Sequence, residues 1–221
     1  MAKRQSYSGY TAKTADNLLL DAGAFFINFD IEQDDFDSAV ADGKLLGATR
    51  GGGSFSAVPE IRPIEVDGVH GKAKGLQVID EWEIKMNANV LEVTLDGLAS
   101  ALTSSEIDNT TNETYDILSA KNYIELTDYY DNITYVGKIS GADEPLIIQI
   151  YNAINTTGLT LETEDKSEAV TELEFDGHYD ETDLDHPPFK IFYPKRNGTG
   201  TSSTQSIETK SGKQEEFKAE S

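Results

Sequence analysis

Cysteine is absent from this 221-residue chain. Disulfides and every thiolate-based site are therefore excluded, and the composition suits a reducing compartment. Long apolar runs are missing too: nothing approaches the roughly 20 consecutive apolar residues that cross a bilayer as a helix. The opening, MAKRQSYSGY, is basic but leads into no apolar region of the kind a secretory signal carries. Bases are scarce, 18 against 40 acids, for a formal charge of -22. Helical periodicity is almost absent as well. What remains is a chain long enough for one sizeable core plus arms, and short of two full domains.

The negative charge has an address. Residues 1–13 hold Lys3, Arg4 and Lys13 with no acid, and 195–221 hold five bases and four acids. Residues 14–194 therefore carry 36 acids against 10 bases, and 86–189 carry 22 acids against only Lys121, Lys138 and Lys166. Such a field repels phosphate and argues against stable nucleic-acid binding. A solubilising surface is the plain reading. A wall that DNA slides along without sticking is the sharper one.

Strand signals dominate the body. Phe25, Ile27, Phe29 and Ile31 alternate with Phe26, Asn28 and Asp30, as a strand with one buried face would. Trp82, Ile84, Met86, Ala88 and Val90 alternate with charged and amide residues in the cleanest period-2 run of the chain. Residues 122–127 and 133–139 read as a hairpin around 128–132. The run 146–151 is apolar on both sides, as a strand covered on both faces is. Only 34–46 and 95–102 look helical. In the second, Leu95, Leu98, Ala99 and Leu102 share a face, with Thr94 or Asp96 available as cap. A polar loop, 103–114, follows. The fold class is thus mainly β with one or two helices and no βαβ rhythm.

Glu162 and Glu164 alternate with Leu161 and Thr163; Glu172, Glu174 and Asp176 alternate with Leu173 and Phe175. Paired through the acidic turn 165–169, these strands would set carboxylate against carboxylate, costing a few tenths of a kcal/mol or more per pair. Lys166 is the only base nearby. Solvation explains the pattern as well as a repulsive wall does. From 195 onward the composition is that of a flexible tail, with Ile207 and Phe217 its only large apolar residues.

No catalytic constellation emerges, so the chain reads as a non-enzyme without cofactor. His178, Asp180, Asp183, Asp185 and His186 supply metal-ligand chemistry but no fixed spacing. His70 sits in a glycine-flanked turn at Asp67-Gly68-Val69-His70-Gly71. Gly51-Gly52-Gly53 lacks the Lys-Ser/Thr of a P-loop and the spacing of a dinucleotide fingerprint, and reads as a flexible or hinge segment. No Gly-x-Ser-x-Gly occurs, and adjacent carboxylates such as Asp34/Asp35 face opposite sides of a strand.

Two stretches carry a family resemblance. Residues 47–94, GATRGGGSFSAVPEIRPIEVDGVHGKAKGLQVIDEWEIKMNANVLEVT, resemble the corresponding run of major tail (tail-tube) proteins of long-tailed, non-contractile bacteriophages. That family has a glycine-rich opening, a Val-Asp-Gly turn and a Lys-Gly-Leu run into a strand. Residues 172–194, ELEFDGHYDETDLDHPPFKIFYP, resemble its closing Gly-His-Tyr and Pro-Phe-Lys-Ile stretch. The likeness implies a tail-tube-type β-sandwich or barrel over 1–194 with a flanking helix. An N-terminal arm at about 1–20, a projecting loop or hairpin at about 47–75 and a C-terminal arm at 195–221 complete it. It implies stacked hexameric rings forming a DNA channel in the virion, assembled in the host cytoplasm. Its partners would be further copies of itself and tape-measure, tail-tip and terminator proteins, with DNA only in transit and no membrane.

On that reading Arg50, Asp67, His70, Lys72 and Lys74 are inter-ring contacts. Glu125, Glu162, Glu164, Glu172, Glu174 and Asp176 are lumen carboxylates. Two alternatives stand beside it. One is the tube of a contractile injection or secretion device. The other is a tail-tip carbohydrate-binding β-sandwich, which calls for an aromatic platform or a separated carboxylate pair in a cleft.

Overall fold

Ile84, Met86, Ala88 and Val90 are buried along strand β3 (Gln77–Val90), while Glu83, Lys85, Asn87 and Asn89 face outward. The alternation read from the sequence is therefore the half-buried strand around which the rest assembles. The computed structural model describes residues 8–161, 163, 165–166 and 168–195. Residues 1–7, Glu162, Glu164 and the expected C-terminal arm from 196 onward lie outside the described residues.

Two antiparallel sheets pack face to face. Sheet A runs β1 (Leu19–Ile27), β6 (Tyr130–Ile139), β7 (Leu146–Asn155) and β9 (Phe189–Phe192). Sheet B runs β2 (Thr49–Pro63), β3 and β8 (Thr171–Asp176). Strand β7 belongs to both: its first half pairs β6 and β9, while Ile154 and Asn155 pair β8. Asn152, at φ 49, marks the bend between the two halves. The core between the sheets is made by Phe25, Ile84, Met86, Ile133, Ile150, Leu173 and Phe175, with Trp82 and Phe189 at its edge. This is a mainly-β sandwich with flanking helices, as the sequence led us to expect.

Helix α1 (Phe36–Ala41) opens on a capping box between Asp35 and Ser38. It lies on the outer face of sheet A, where Ala39 packs with Phe26 and Phe29. Phe26 is thus buried beside Phe25, so β1 is covered on both faces rather than one, and it ends at Ile27. Helix α2 (Leu95–Ala101) is capped by Thr94, whose hydroxyl accepts from the Gly97 amide. It closes one end of the sandwich by sending Ala101 into the core.

Three expectations are corrected. The hairpin read at 122–139 is absent: residues 126–128 form a 3-10 turn, and β6 runs unbroken from Tyr130. The apolar residues Ile124 and Leu126 that mimicked a strand are exposed. The polar loop 103–114 contains β4 (Ser105–Asp108), which pairs β5 (Ile117–Ala120) in a small separate sheet. Finally, Gly51-Gly52-Gly53 is no linker but part of β2. Gly51 and Gly52 take φ of 84 and 72 at an irregularity in the ladder. A Cβ on Gly53 would lie 2.1 Å from the Asn87 carbonyl and 2.5 Å from the Phe25 ring.

Candidate assembly surfaces: an acidic sheet face and a hairpin arm

The outer face of sheet B carries no described helix, and among the described residues it is covered only at its β7 end, where Ile154, paired with Asp176, is buried. Because β3 and β8 turn Met86, Ala88, Leu173 and Phe175 inward, Lys85, Asn87, Asn89, Glu172, Glu174 and Asp176 must face out. On β2 the partners across from Asn87, Lys85 and Glu83 are Ser54, Ser56 and Val58. Glu83, Glu172, Glu174 and Asp176 thus share this part of the face with Lys85. Its ammonium lies 3.2 Å from Glu83, 3.3 Å from Glu174 and 4.0 Å from Asp176. The Glu83 hydrogen bond first, then the charge of Asp176 and the bond to Glu174, hold Lys85 above its ordinary range. Asn87 donates to Glu172 at 2.5 Å.

These contacts correct one expectation. Leu161 makes an isolated bridge to Thr171, while Glu162 and Glu164 lie outside the described residues. The neighbour of β8 is β3, whose Lys85 and Asn87 offset the carboxylate crowding. Glu125 is elsewhere, on the turn before β6, paired with Lys121 at 3.0 Å. Glu172, Glu174 and Asp176 are therefore the predicted carboxylates that the fold brings together.

Along the rim of this face runs β2, a 15-residue edge strand whose one strand partner among the described residues is β3. The opposite edge, β1, is partly occupied, because residues 44–46 hydrogen-bond to Phe25 and Ile27. Unpaired edge amides and carbonyls are a template for another strand. An open cleft of about 510 Å³ separates the two edges, lined by Leu19, Phe25, Gly52, Phe55 and Tyr135 among others.

Strands β2 and β3 continue past the core as an arm. Trp82 against Phe189 is the last large packed contact. Beyond it, Glu60 faces Glu81, an irregularity at Asp80 shifts the register, and Ile61 then faces Ile79. Arg62 grips Asp80 through two hydrogen bonds, 2.7 and 3.0 Å. Residues 64–76 form the tip. Val58, Ile61, Ile64, Val66, Val69 and Ile79 are all exposed. An isolated two-stranded hairpin is marginal in water, and this one leaves its aliphatic side chains uncovered.

The residues expected to project, 47–75, form β2 and the turn of a hairpin whose other strand is β3. Asp67, His70, Lys72 and Lys74 sit together on its tip. Arg50 does not: it lies at the start of β2, the strand's length away, bound to Glu168 at 2.7 Å. The aliphatic arm escaped the sequence reading. Its signal was there, in the valines and isoleucines spaced through 58–79 without an alternating polar face.

Elsewhere, the His178 Nδ1 lies 3.2 and 3.1 Å from the Asn152 and Asp176 carbonyls, which fix the orientation of the ring. With Leu126, Tyr129, Tyr179 and Asp180 it lines a shallow cleft of about 550 Å³. His186 bonds Asp183 at 2.8 Å. Among the described residues, no group of three or more His, Asp or Glu is arranged to hold a metal ion.

The fold and its surfaces define a β-sandwich with an open edge, an acidic face that no described helix covers and a protruding arm. No protein-family model and no curated protein matches the chain.

Proposed function

We propose that this chain is the repeating subunit of a self-assembled tube, of the kind that forms the tails of long-tailed, non-contractile phages. The outer face of sheet B lines the channel in this reading. One observation carries it. That face sets Glu83, Glu174 and Asp176 around the Lys85 ammonium and Glu172 against Asn87, with no described helix over it and a 15-residue edge strand beside it. Such a sheet is completed by copies of itself, since closure into a ring removes the edge. The face then left inside is small, polar and acidic. At physiological salt, screening over about 8 Å makes each charge weak. Repeated around a ring and along a stack, the charges deny DNA any resting place.

The partners are further copies of the chain, with tape-measure, tail-tip and terminator proteins at the ends, and DNA only in transit. The chain acts by assembly, not catalysis. Negative-stain electron microscopy of the concentrated protein tests this, and hollow rings or stacked tubes are expected. Uniform monomers that also fail to extend purified tail tips would overturn it.

A second reading, glycan binding, is favoured by the cleft around Tyr129, His178 and Tyr179. There the Tyr129 and His178 rings meet edge to face, with Asp180 beside them. Millimolar oligosaccharides that shift the amide resonances of 176–182 in the monomer would support it. Their failure to do so would remove it.

A further inference from the structure

We infer that the tip of the β2–β3 arm docks, aliphatic side first, in the cleft between α1 and β9 of a second copy. This rests on the tube reading and adds the receptor and the chemistry of the contact. The cleft exists because α1 is too short for its sheet. The outer row of sheet A runs Ala24, Val136, Ile147 and Phe192 across four strands. Helix α1, six residues long, covers the β1 end of that row and leaves the β9 end open. The result is a cleft of about 450 Å³ with Val136, Ile147 and Phe192 in its floor. Phe36, 52% exposed, and Tyr193, 58% exposed, stand on either side. An apolar floor of this kind left to water marks an interaction site.

The rim carries Asp34, Asp35 and Glu144; Asp34 is already paired with Lys44 and Asp35 caps α1, which leaves Glu144 as the rim carboxylate with no ion pair among the described residues. The arm tip is its counterpart. Ile64, Val66 and Val69 are exposed there, beyond the last packed contact of the hairpin with the body. Lys72 and Lys74 stand beside them and enter no ion pair among the described residues. Arg62 and Arg50, by contrast, are already held by Asp80 and Glu168. The arm thus offers aliphatics flanked by two available ammoniums, and the cleft offers an apolar floor with the Glu144 carboxylate at its rim. Contact by apolar insertion sets the affinity, and the lysines set the orientation.

The chain's own residues beyond 195 are the rival occupant, since they follow Tyr193 and Pro194 at the cleft's wall. Their first large apolar residue is Ile207, twelve positions beyond Lys195, whereas the arm tip carries Ile64, Val66 and Val69 within six positions.

The absence of cysteine makes the test direct. Full-length Val69→Cys protein is mixed under oxidising conditions with Tyr193→Cys protein or, as control, with Tyr115→Cys protein. Tyr115 is 70% exposed, just before β5. Disulfide-linked dimers should form at least tenfold more with Tyr193→Cys, and the linked peptides should join position 69 of one copy to position 193 of another. Equal yields, or Val69→Cys joining chiefly to itself, would overturn the inference while tubes remain visible. A Phe217→Cys/Tyr193→Cys double variant that closes within one chain in the assembled state would give the cleft to the tail and overturn it too. Wild-type protein that sediments as monomer at every concentration, and adds to no tail tip, would overturn this docking and the tube reading together.

Discussion

Gly53 is a point where the backbone of one strand meets both a neighbouring carbonyl and the core. Its φ is ordinary, so the constraint is space, not conformation. Gly53→Ala should push β2 away from Asn87 and Phe25 and cost about 1–3 kcal/mol, the usual range for an overpacked site. Urea unfolding reads it directly, and an unchanged midpoint would mean that β2 yields there freely. His186 tests electrostatics at the same scale. Its hydrogen bond to Asp183, and then the charge of that carboxylate, raise its pKa above the ordinary 6.5. A nuclear magnetic resonance titration should show this, and Asp183→Asn should bring the value down. Because the folded value is raised, the pair's contribution to stability is present in acid and fades as pH rises through that value. The side chain is 81% exposed, so screening keeps the effect on unfolding small.

Elements are held by short local devices and then by what they cover. Helix α2 has seven residues, too few to persist alone in water. Thr94→Ala removes its cap and should lower stability by about 1 kcal/mol, measurable by thermal or urea denaturation. Strand β8 depends on its neighbour instead. Slipping its register against β3 by one residue would turn Leu173 and Phe175 to solvent and carry Glu172 and Glu174 into the core, so the pairing is strongly specified. The arm has no such anchor past Trp82. Few buried apolar contacts and solvent-exposed ladder hydrogen bonds put it at the low-stability end of the molecule until something covers it.

At the scale of the molecule, charge is the governing quantity. Several carboxylates sit below their usual range for stated reasons: Asp34 through Lys44, Asp80 through Arg62, and Asp108 through the Thr111 and Thr110 hydroxyls and amides. A depressed folded value stabilises above the unfolded pKa and is lost as pH falls below it. Their contribution should therefore be complete above about pH 4 and disappear in stronger acid. Circular dichroism against pH would show a flat plateau and then a loss of structure. The sheet B face gives a second expectation. Glu172→Lys with Glu174→Lys should leave the monomer folded, because both residues face outward, but make any assembled tube retain short duplex DNA at low salt. Filter binding compares it with the wild type, which should pass DNA freely; equal retention would remove the channel role from this face.

Strand β3, helix α2, the apolar run of β7 and the mainly-β class were legible in the sequence, while the choice of Thr94 over Asp96 as the helix cap was not. Each is written in local periodicity, which burial of one or two faces imposes on nearby residues. The carboxylates of β8 could be read as alternating, but not what stood across from them. Lys85 lies 89 positions before Glu174, and Asn87 lies 85 before Glu172; only the β3–β8 ladder brings them over. The false hairpin at 122–139 arose because Ile124 and Leu126 look like strand residues until the fold leaves them in water. The true small sheet at β4–β5 was hidden by its polar composition. For the same reason the half-covered row of sheet A and the aliphatic arm belong to the tertiary structure alone. Whether an apolar side chain is core or contact depends on which other element reaches it. That is decided by long-range pairing and by the length of one six-residue helix, not by the residue's own neighbours in sequence.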